Sequence, residues 1–204
     1  MTRSVTIATS LYEENSGISL DSVGSIPPGL TGILYSVGPG RFDIAGKNIG
    51  HWLDGFSVVS SIHISEKAIK YIHRFVGSAW YRGALIKDCI PLGGFGDHGT
   101  HTGRFPVNDN ANMNLILRRG DLELLSYSPH SIFVDPLTLL TRGTRSRPGF
   151  LKGMDRYCIA CPHPFLDDQT GERFDLLLSQ RDPSGYIVTT TDASGHCRLL
   201  CRIP

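Results

Sequence analysis

Short runs of β-branched and apolar residues recur along this chain, and Gly, Pro or Asp interrupts them every few residues. The interruptions are densest between Ile26 and Gly40, where most of the glycines and prolines occur in pairs or triplets. Such punctuation disfavours a helix and predicts loop and short strand in this stretch. With 23 Gly and 12 Pro among 204 residues, the whole chain has the composition of a turn-rich globular protein.

Two β-hairpins are predicted from the pattern of apolar residues. Phe56 to Ile64 is β-branched and partly alternating, a polar turn follows, and Ala68 to Val76 returns. Met113 to Arg118 is likewise a predicted strand, and Leu122 to Tyr127 is its predicted return strand after a turn that contains Gly120. Each pair therefore predicts two adjacent antiparallel strands.

The same signals predict four more strands, at residues 131–134, 174–179, 186–191 and 197–203. Turns rich in Asp, Ser and Gly separate the last three, which indicates a meander. Residues 93–103 and 141–156 are predicted to be loops. Consecutive hairpins with almost no helical periodicity predict an all-β fold, and a sandwich, a barrel and propeller blades all remain open.

The charge balance excludes partners that need a strong field. Twenty Lys and Arg oppose 19 Asp and Glu, for a net charge of +1, so no basic surface is available for nucleic acid or anionic membrane. No apolar run reaches the roughly 18 to 20 residues of a spanning helix, so any membrane contact is expected to be peripheral. The first residues lack a secretory signal, and the five cysteines are expected to be reduced thiols in a cytoplasmic protein.

The segment Gly50 to Gly55 reads Gly-His-Trp-Leu-Asp-Gly. We expect Trp52 to anchor a small core, because a large aromatic side chain buries more apolar area than its neighbours. Asp54 and Gly55 are residue types that favour turns. They are therefore predicted to form the turn into the first hairpin.

Cysteine and histidine side chains near the C-terminal end form a candidate metal site: Cys158, Cys161, His163, His196, Cys197 and Cys201. Thiolates and imidazoles in a set of four would suit zinc. Cys197 and Cys201 would lie roughly 13 Å apart in an extended strand, so both can bind one ion only if the strand breaks. Pro162 separates Cys161 from His163 and excludes the haem attachment motif. Zinc remains one alternative.

His163 is a candidate metal ligand in its own right. Pro162 and Pro164 flank it, and prolines fix the backbone on both sides of the histidine. This would preset the direction in which the imidazole enters a site. On these local features an ordinary surface or core histidine remains the alternative.

Three stretches occur in an order and at separations that are specific in combination. Residues 26–42 carry an Ile-Pro, a Leu-x-Gly and a Gly-Pro-Gly before an aromatic residue, and residues 51–55 are followed by Arg-Phe-Val at 74–76. The third stretch consists of Asn110-Ala-Asn112, Asp135-Pro-Leu-Thr-Leu139, His163-Pro164 and Thr170-Gly171-Glu172. Together they resemble the carotenoid oxygenase family, which contains carotenoid cleavage dioxygenases and the retinoid isomerase of the eye.

The resemblance implies a seven-bladed β-propeller, of which residues 26–204 would be the N-terminal blades and residues 1–25 an extension. It implies one Fe2+ held on the propeller axis by four histidines, with oxygen as co-substrate and an apolar tunnel for a polyene. His163 occupies the position of the first of those ligands. The implied reaction is oxidative cleavage of a carbon–carbon double bond in a carotenoid, apocarotenoid or stilbene.

Two features depart from the family pattern. Tyr127 stands where members commonly carry a Glu that orients a ligand histidine, and Pro162 replaces an Ala before His163. The seven other histidines match none of the remaining ligand positions. We therefore expect the chain alone to be inactive, as a gene fragment, a truncated reading frame or a split product that needs a second chain for the rest of the propeller. The competing hypothesis is a non-catalytic β-fragment or degenerate remnant that binds a hydrophobic ligand or partner.

Overall fold

The computed structural model describes residues 9–90, 94–96, 108–149, 158–180 and 184–204. The strands of the first half are β1 (Asn15–Leu20), β2 (Gly32–Arg41), β3 (Asp43–Ile44), β4 (Lys47–Asn48), β5 (Phe56–Ile64) and β6 (Ile69–Phe75). Those of the second half are β7 (Asn114–Arg118), β8 (Asp121–Leu125), β9 (His130–Val134), β10 (Thr141–Ser146), β11 (Cys158–Ala160), β12 (Phe165–Leu166), β13 (Arg173–Ser179), β14 (Gly185–Thr191) and β15 (Cys197–Ile203). A 3-10 helix, Trp52–Asp54, precedes β5, and α1 (Ala79–Lys87) follows β6.

The strands form antiparallel sheets that follow one another along the chain. The first sheet has the order β1-β6-β5-β2 and the second the order β10-β9-β8-β7. The third has the order β11-β13-β14-β15, with β12 paired to β13, and β3 pairs with β4 in a short ribbon. The predicted all-β character is confirmed.

The predicted hairpins are confirmed with nearly the predicted bounds. β5 pairs with β6, β7 pairs with β8, and β13, β14 and β15 form the predicted meander. In these segments β-branched residues mark the strands and turn residues mark their ends, so the local sequence is sufficient to predict the strand bounds. β1 lies within the predicted N-terminal extension and pairs with β6 at the edge of the first sheet.

Two backbone predictions were wrong. Residues 26–40 were expected to be loop and short strand, whereas β2 runs for ten residues. It is an edge strand, so Pro39 does not interrupt a ladder on both sides. Residues 141–156 were expected to be a loop, whereas β10 (residues 141–146) pairs with β9; residues 150–156 lie outside the described ranges. β10 is polar and mostly exposed, so it gives no alternating pattern to detect. Of the predicted loop at 93–103, only residues 94–96 lie within the described ranges.

Helix α1 was not predicted, because its nine residues include Gly83 and show little amphipathic periodicity. Its start is fixed by polar groups: the Ser78 hydroxyl accepts the Tyr81 N–H at 2.9 Å, and the Asp109 carboxylate accepts the N–H groups of Ala79 and Trp80 at 2.8 and 2.9 Å. In the described part of the chain, no helix is long and apolar enough to cross a membrane.

An apolar core joins the first two sheets. Val59 and Ile72 of the first sheet pack in one buried cluster with Leu122, Leu124 and Ile132 of the second. Because these side chains are almost completely buried, each removes apolar surface from water worth about 1.5–3 kcal/mol. The two sheets are therefore held together mainly by the hydrophobic effect.

Charged groups join the second and third sheets. Arg173 in β13 donates from Nη1 to both carboxylate oxygens of Glu123 in β8, each at 2.8 Å. It also donates from Nε to Asp175 at 2.8 Å, and Arg147 donates from Nε to the same carboxylate at 3.0 Å. All four side chains are buried, so two positive charges balance two negative ones inside the protein.

Asp135 closes the tight turn that joins β9 to β10. Its Oδ1 accepts the N–H and the hydroxyl of Thr138 at 2.7 and 2.9 Å, and the N–H of Leu137 at 2.9 Å. These bonds, foremost those from Thr138, lower the pKa of Asp135 to about 2. The turn predicted at Asp135-Pro136 is thus present and is held by a charged acceptor.

The first testable prediction concerns this carboxylate. Since its pKa is lower in the folded chain than the ordinary value of 3.8, its contribution to stability is complete above about pH 4 and is lost as the pH falls towards about 2. Carboxyl-carbon NMR should show Asp135 titrating near pH 2, and Thr138→Val should raise that midpoint. A midpoint near 3.8 in the unmodified chain would contradict the turn geometry.

Candidate functional site

His163 lies in the loop between β11 and β12, with its side chain exposed to solvent. The residues before it are fixed by hydrogen bonds from separate elements. The Cys161 N–H donates to the Leu176 carbonyl at 2.8 Å, and Asn114 Nδ2 donates to the Pro162 carbonyl at 3.0 Å. The backbone that carries the imidazole is therefore held by strands of both the second and the third sheet.

The imidazole of His163 has no partner in the described part of the chain. Among the described residues, nothing donates to, accepts from or forms an ion pair with either ring nitrogen of His163. A neutral imidazole is a ligand type that suits iron. However, the described residues contain no group of three or more His, Cys, Asp or Glu side chains placed to hold a metal ion. They supply one candidate ligand and do not form a metal site by themselves.

The zinc alternative is wrong as a single site for the cysteines. Cys158 lies in β11, whereas Cys197 and Cys201 lie in β15, three strand spacings away in the order β11-β13-β14-β15. At about 4.8 Å per spacing this is roughly 14 Å, too far for one ion. Burial raises the pKa of the Cys158 thiol, which further disfavours the thiolate that zinc needs. His196 is exposed and lies beside Asp192, 4.0 Å away.

Tyr127, the predicted substitute for a glutamate, lies two residues after the end of β8 and is 44% exposed. Its carbonyl accepts the Ala160 N–H at 3.2 Å, which joins its backbone to the strand that leads to His163. Its ring meets Phe95 edge-to-face, with centroids 6.1 Å apart. Its hydroxyl has no hydrogen-bond partner among the described residues, so the phenol does not orient a histidine within that part of the chain.

A cavity of about 560 Å³ opens between the 3-10 helix, α1, the strand ends of the second sheet and the third sheet. Its apolar lining consists of Leu53, Trp80, Phe95, Met113, Tyr127, Ile159 and Leu178. Volumes of 300–1,000 Å³ with mainly apolar walls are typical of small-molecule sites. His163 does not line the cavity, but Ile159, four residues earlier, does.

Asn110 and Asn112 in the cavity wall form hydrogen bonds within the protein, whereas the buried Nε1–H of Trp80 has no partner among the described residues. Asn110 Oδ1 accepts the N–H and the hydroxyl of Ser57 at 3.0 and 2.7 Å, and its Nδ2 donates to the Gly55 carbonyl at 2.9 Å. Asn112 Nδ2 donates to the carbonyls of Leu53 and Gly55 at 2.7 and 3.0 Å. The two asparagines that mark the third sequence motif therefore fix the wall and leave the cavity largely apolar.

The turn before β5 also contributes to the cavity wall, through Leu53 and Asp54. The Asp54 carboxylate accepts the N–H groups of Phe95 and Gly96, both at 2.8 Å. Gly96 approaches this turn so closely that a Cβ atom would lie 2.6 Å from the backbone nitrogen of His51, which requires glycine. Asp54 and Gly55 thus lead into β5 as predicted. The prediction that Trp52 anchors a core was wrong, since Trp52 is 52% exposed and the local core is formed by Ile44, Phe56, Tyr81 and Ala84.

Fold and site together define a protein of successive antiparallel sheets. It carries an exposed histidine on a hydrogen-bonded loop, four residues after Ile159 in the wall of an apolar cavity. Residues 7–200 match the model of the family described as retinal pigment epithelial membrane protein. Because the match spans nearly the whole chain, the protein belongs to this family, the carotenoid oxygenases, and the chain corresponds to their N-terminal portion.

Curated relatives support this membership. A mitochondrial carotenoid-cleaving dioxygenase of Macaca fascicularis is 27% identical over 150 residues, which are 65% of this chain and 27% of that protein. The chloroplastic carotenoid cleavage dioxygenase 8 of Arabidopsis thaliana is 27% identical over 210 residues, 93% of this chain and 36% of that protein. Resveratrol cleavage oxygenase 1 of Aspergillus fumigatus is 26% identical over 153 residues, 75% and 30% respectively.

Solved structures share the fold. A Synechocystis apocarotenoid oxygenase superposes with a TM-score of 0.73 at 20% identity, covering 95% of this chain and 42% of that one. The lignostilbene dioxygenase of Pseudomonas brassicacearum gives 0.73 at 22% identity, covering 95% and 40%. The chain thus spans well under half the length of the relatives it resembles.

Proposed function

We propose that the protein containing these residues cleaves a carbon–carbon double bond of an apolar, conjugated molecule with O2, using Fe2+. The observation that carries the proposal is the placement of His163. The chain matches the family over residues 7–200, and His163 stands at the expected ligand position. Its side chain is exposed and has no partner among the described residues. The backbone just before it forms hydrogen bonds with strands of the second and third sheets.

In this proposal His163 contributes one imidazole to the iron, and three further histidines come from outside the described residues. Four neutral imidazoles suit Fe2+ and leave positions open. When bound, the iron supplies the redox chemistry of the cleavage. This chain contributes the direction of one ligand, set by the bonds to the backbone of Cys161 and Pro162.

The cavity is the proposed position of part of the substrate. Trp80, Phe95 and Tyr127 offer aromatic surfaces, and Met113 and Leu178 complete an apolar wall that would exclude water from a polyene or stilbene. The side-chain amide of Asn110 and the amide nitrogen of Asn112 are already paired within the protein. The chain therefore favours a substrate that binds by shape and apolar contact. Relatives named for carotenoid, resveratrol and lignostilbene cleavage are consistent with this class.

The test of the function is oxygen-dependent cleavage. Protein loaded with Fe2+ would be incubated with an apocarotenal, with β-carotene and with resveratrol, in air and without oxygen. We expect at least one compound to give carbonyl products only in air and only with iron. Iron-independent products, or binding of all three compounds without any cleavage, would contradict the proposed reaction.

A second candidate function is non-catalytic binding of an apolar molecule or partner. Tyr127 favours it, because a phenol at the glutamate position lacks the charge that makes a ligand histidine more basic. Under this reading the cavity binds its ligand with equal affinity in iron-free and iron-loaded protein, and no product appears.

Tyr127→Glu gives a prediction that bears on both candidates. If the site holds iron, a carboxylate at this position should raise iron affinity by about 10-fold or more, the range over which such outer partners act. Tyr127→Phe should change affinity little, since the hydroxyl has no partner among the described residues. Competition with a chelator measures both variants. Weaker iron binding in Tyr127→Glu would contradict this prediction. A similar loss of iron affinity in Tyr127→Phe would also contradict it, because the loss would show that the hydroxyl supports iron binding.

A further inference from the structure

Arg147 follows β10 directly and is only 1% exposed, although it is charged. Its guanidinium donates from Nε to Asp175 Oδ1 at 3.0 Å and from Nη1 to the Ser126 carbonyl at 3.2 Å. Nη2 donates to the Cys161 carbonyl. One rigid, planar group therefore bonds to one carboxylate and to the main chain of two distant segments.

Those two segments are the ones that carry the candidate site. Ser126 immediately precedes Tyr127 and directly follows β8 of the second sheet. Cys161 lies two residues before His163, beyond the end of β11 in the third sheet. The donors of a guanidinium have fixed mutual geometry, so Arg147 sets the separation of the two carbonyls and hence of the two segments.

Stability alone does not explain a charge at this position. Well-packed apolar side chains often replace a buried ion pair without loss, because removing charges from water is costly. Burial lowers the pKa of Arg147, which reflects that cost, although a guanidinium stays protonated in proteins. An apolar residue could fill the same space but could not bond to two carbonyls.

We propose that Arg147 is a positioning residue of the site, which fixes the loop of His163 relative to the strand end of Tyr127. An effect of Arg147 on iron binding rests on the proposed role of His163 as an iron ligand. The effect of Arg147 on the position of the His163 loop does not, and it can be measured in this chain without iron or substrate.

Arg173 provides a matched control. It is equally buried, shares Asp175 with Arg147 and bonds to Glu123, but it makes no hydrogen bond to the main chain of Ser126 or Cys161. Arg147→Lys and Arg173→Lys both keep the positive charge, and both replace the planar guanidinium donors with a single ammonium group. A difference between them at the site therefore reports positioning rather than general loss of stability.

The experiment uses NMR of the 204-residue chain. The reporters are the exchange rate of the Ala160 N–H, which bonds to the Tyr127 carbonyl, and the position of the Cε1–H signal of His163. We expect Arg147→Lys to speed Ala160 exchange at least 10-fold relative to amides of the β5–β6 pair and to move the His163 signal. Arg173→Lys should change both reporters much less than Arg147→Lys, because Arg173 bonds to neither main-chain segment.

Equal responses in the two lysine variants would overturn the proposal. If Arg147→Lys has no effect, Arg147→Met, which has no donor, decides: a shifted His163 signal supports positioning, and an unchanged signal refutes it. Neither outcome depends on iron. A protein that fails to cleave any substrate can still show the Arg147 effect, and an active protein can lack it, so failure of the proposed function and failure of this inference are distinguishable.

Discussion

Replacing His163 with alanine is expected to lower the iron affinity of the protein that contains these residues by more than about 100-fold and to abolish cleavage. Loss of a residue that only supports a ligand already costs about 10- to 100-fold, so loss of the ligand itself should cost more. The backbone at Cys161 and Pro162 should keep its place, because its bonds come from main chain and from Asn114. Metal analysis of the purified variant gives the iron content, and product formation gives the activity.

His196→Ala is the matched control for this prediction. His196 is also exposed, with 78% of its side chain accessible, and it lies beside Asp192 rather than in a clamped loop. It should leave iron and activity unchanged. If His163→Ala retained iron and cleavage, His163 would be an ordinary surface histidine and the proposed ligand set would be wrong.

The second large effect concerns the charges between the second and third sheets. Glu123→Leu leaves Arg173 buried with only Asp175 as a carboxylate partner, while Asp175 also serves Arg147. Removing one partner of a buried ion pair typically costs about 3–5 kcal/mol. We expect the free energy of unfolding, measured in urea, to fall by that amount.

Two comparisons make this prediction specific. Glu123→Leu combined with Arg173→Leu removes one charge of each sign and should recover part of the loss, because Arg147 and Asp175 remain paired. Arg142→Leu breaks the contacts of an exposed arginine with Asp121 and Asp135 and should change stability much less. A loss below about 1 kcal/mol in Glu123→Leu would mean that the network is not buried as described.

Sequence patterns predicted those strands whose signals are local. The hairpin β5–β6 and the meander β13–β14–β15 have β-branched residues bounded by Gly, Asp and Ser, and the structure confirms them. β10 was missed because its residues are polar and its pairing depends on the main chain of β9. Helix α1 was missed because its start depends on Asp109, thirty residues later in the chain than Ala79.

The charge network could not be predicted from the sequence. In β13, Arg173 and Asp175 point inward and are buried, while Leu176 and Leu178 are exposed. Alternation alone defines the two faces of the strand but assigns the face of Leu176 and Leu178 to the interior, because charged residues are rarely buried. The face of Arg173 and Asp175 is buried instead because Arg173 pairs with Glu123 of another sheet.

The candidate site was predicted in part. His163 was singled out by its flanking prolines and by the family resemblance, and its exposed, clamped position is compatible with ligation. The cavity was not predicted, since its walls come from distant segments such as Trp80, Met113 and Ile159. Arg147 was not predicted either, because its partners are main-chain carbonyls, which leave no trace in the side-chain pattern.

The most direct test of the account is anomalous diffraction at the iron edge from crystals of the Fe2+-loaded protein that contains these residues. The account predicts one iron peak within coordinating distance of an imidazole nitrogen of His163, surrounded by further histidines from outside the described part of the chain. An iron peak bound elsewhere, with the His163 ring in solvent, would contradict it.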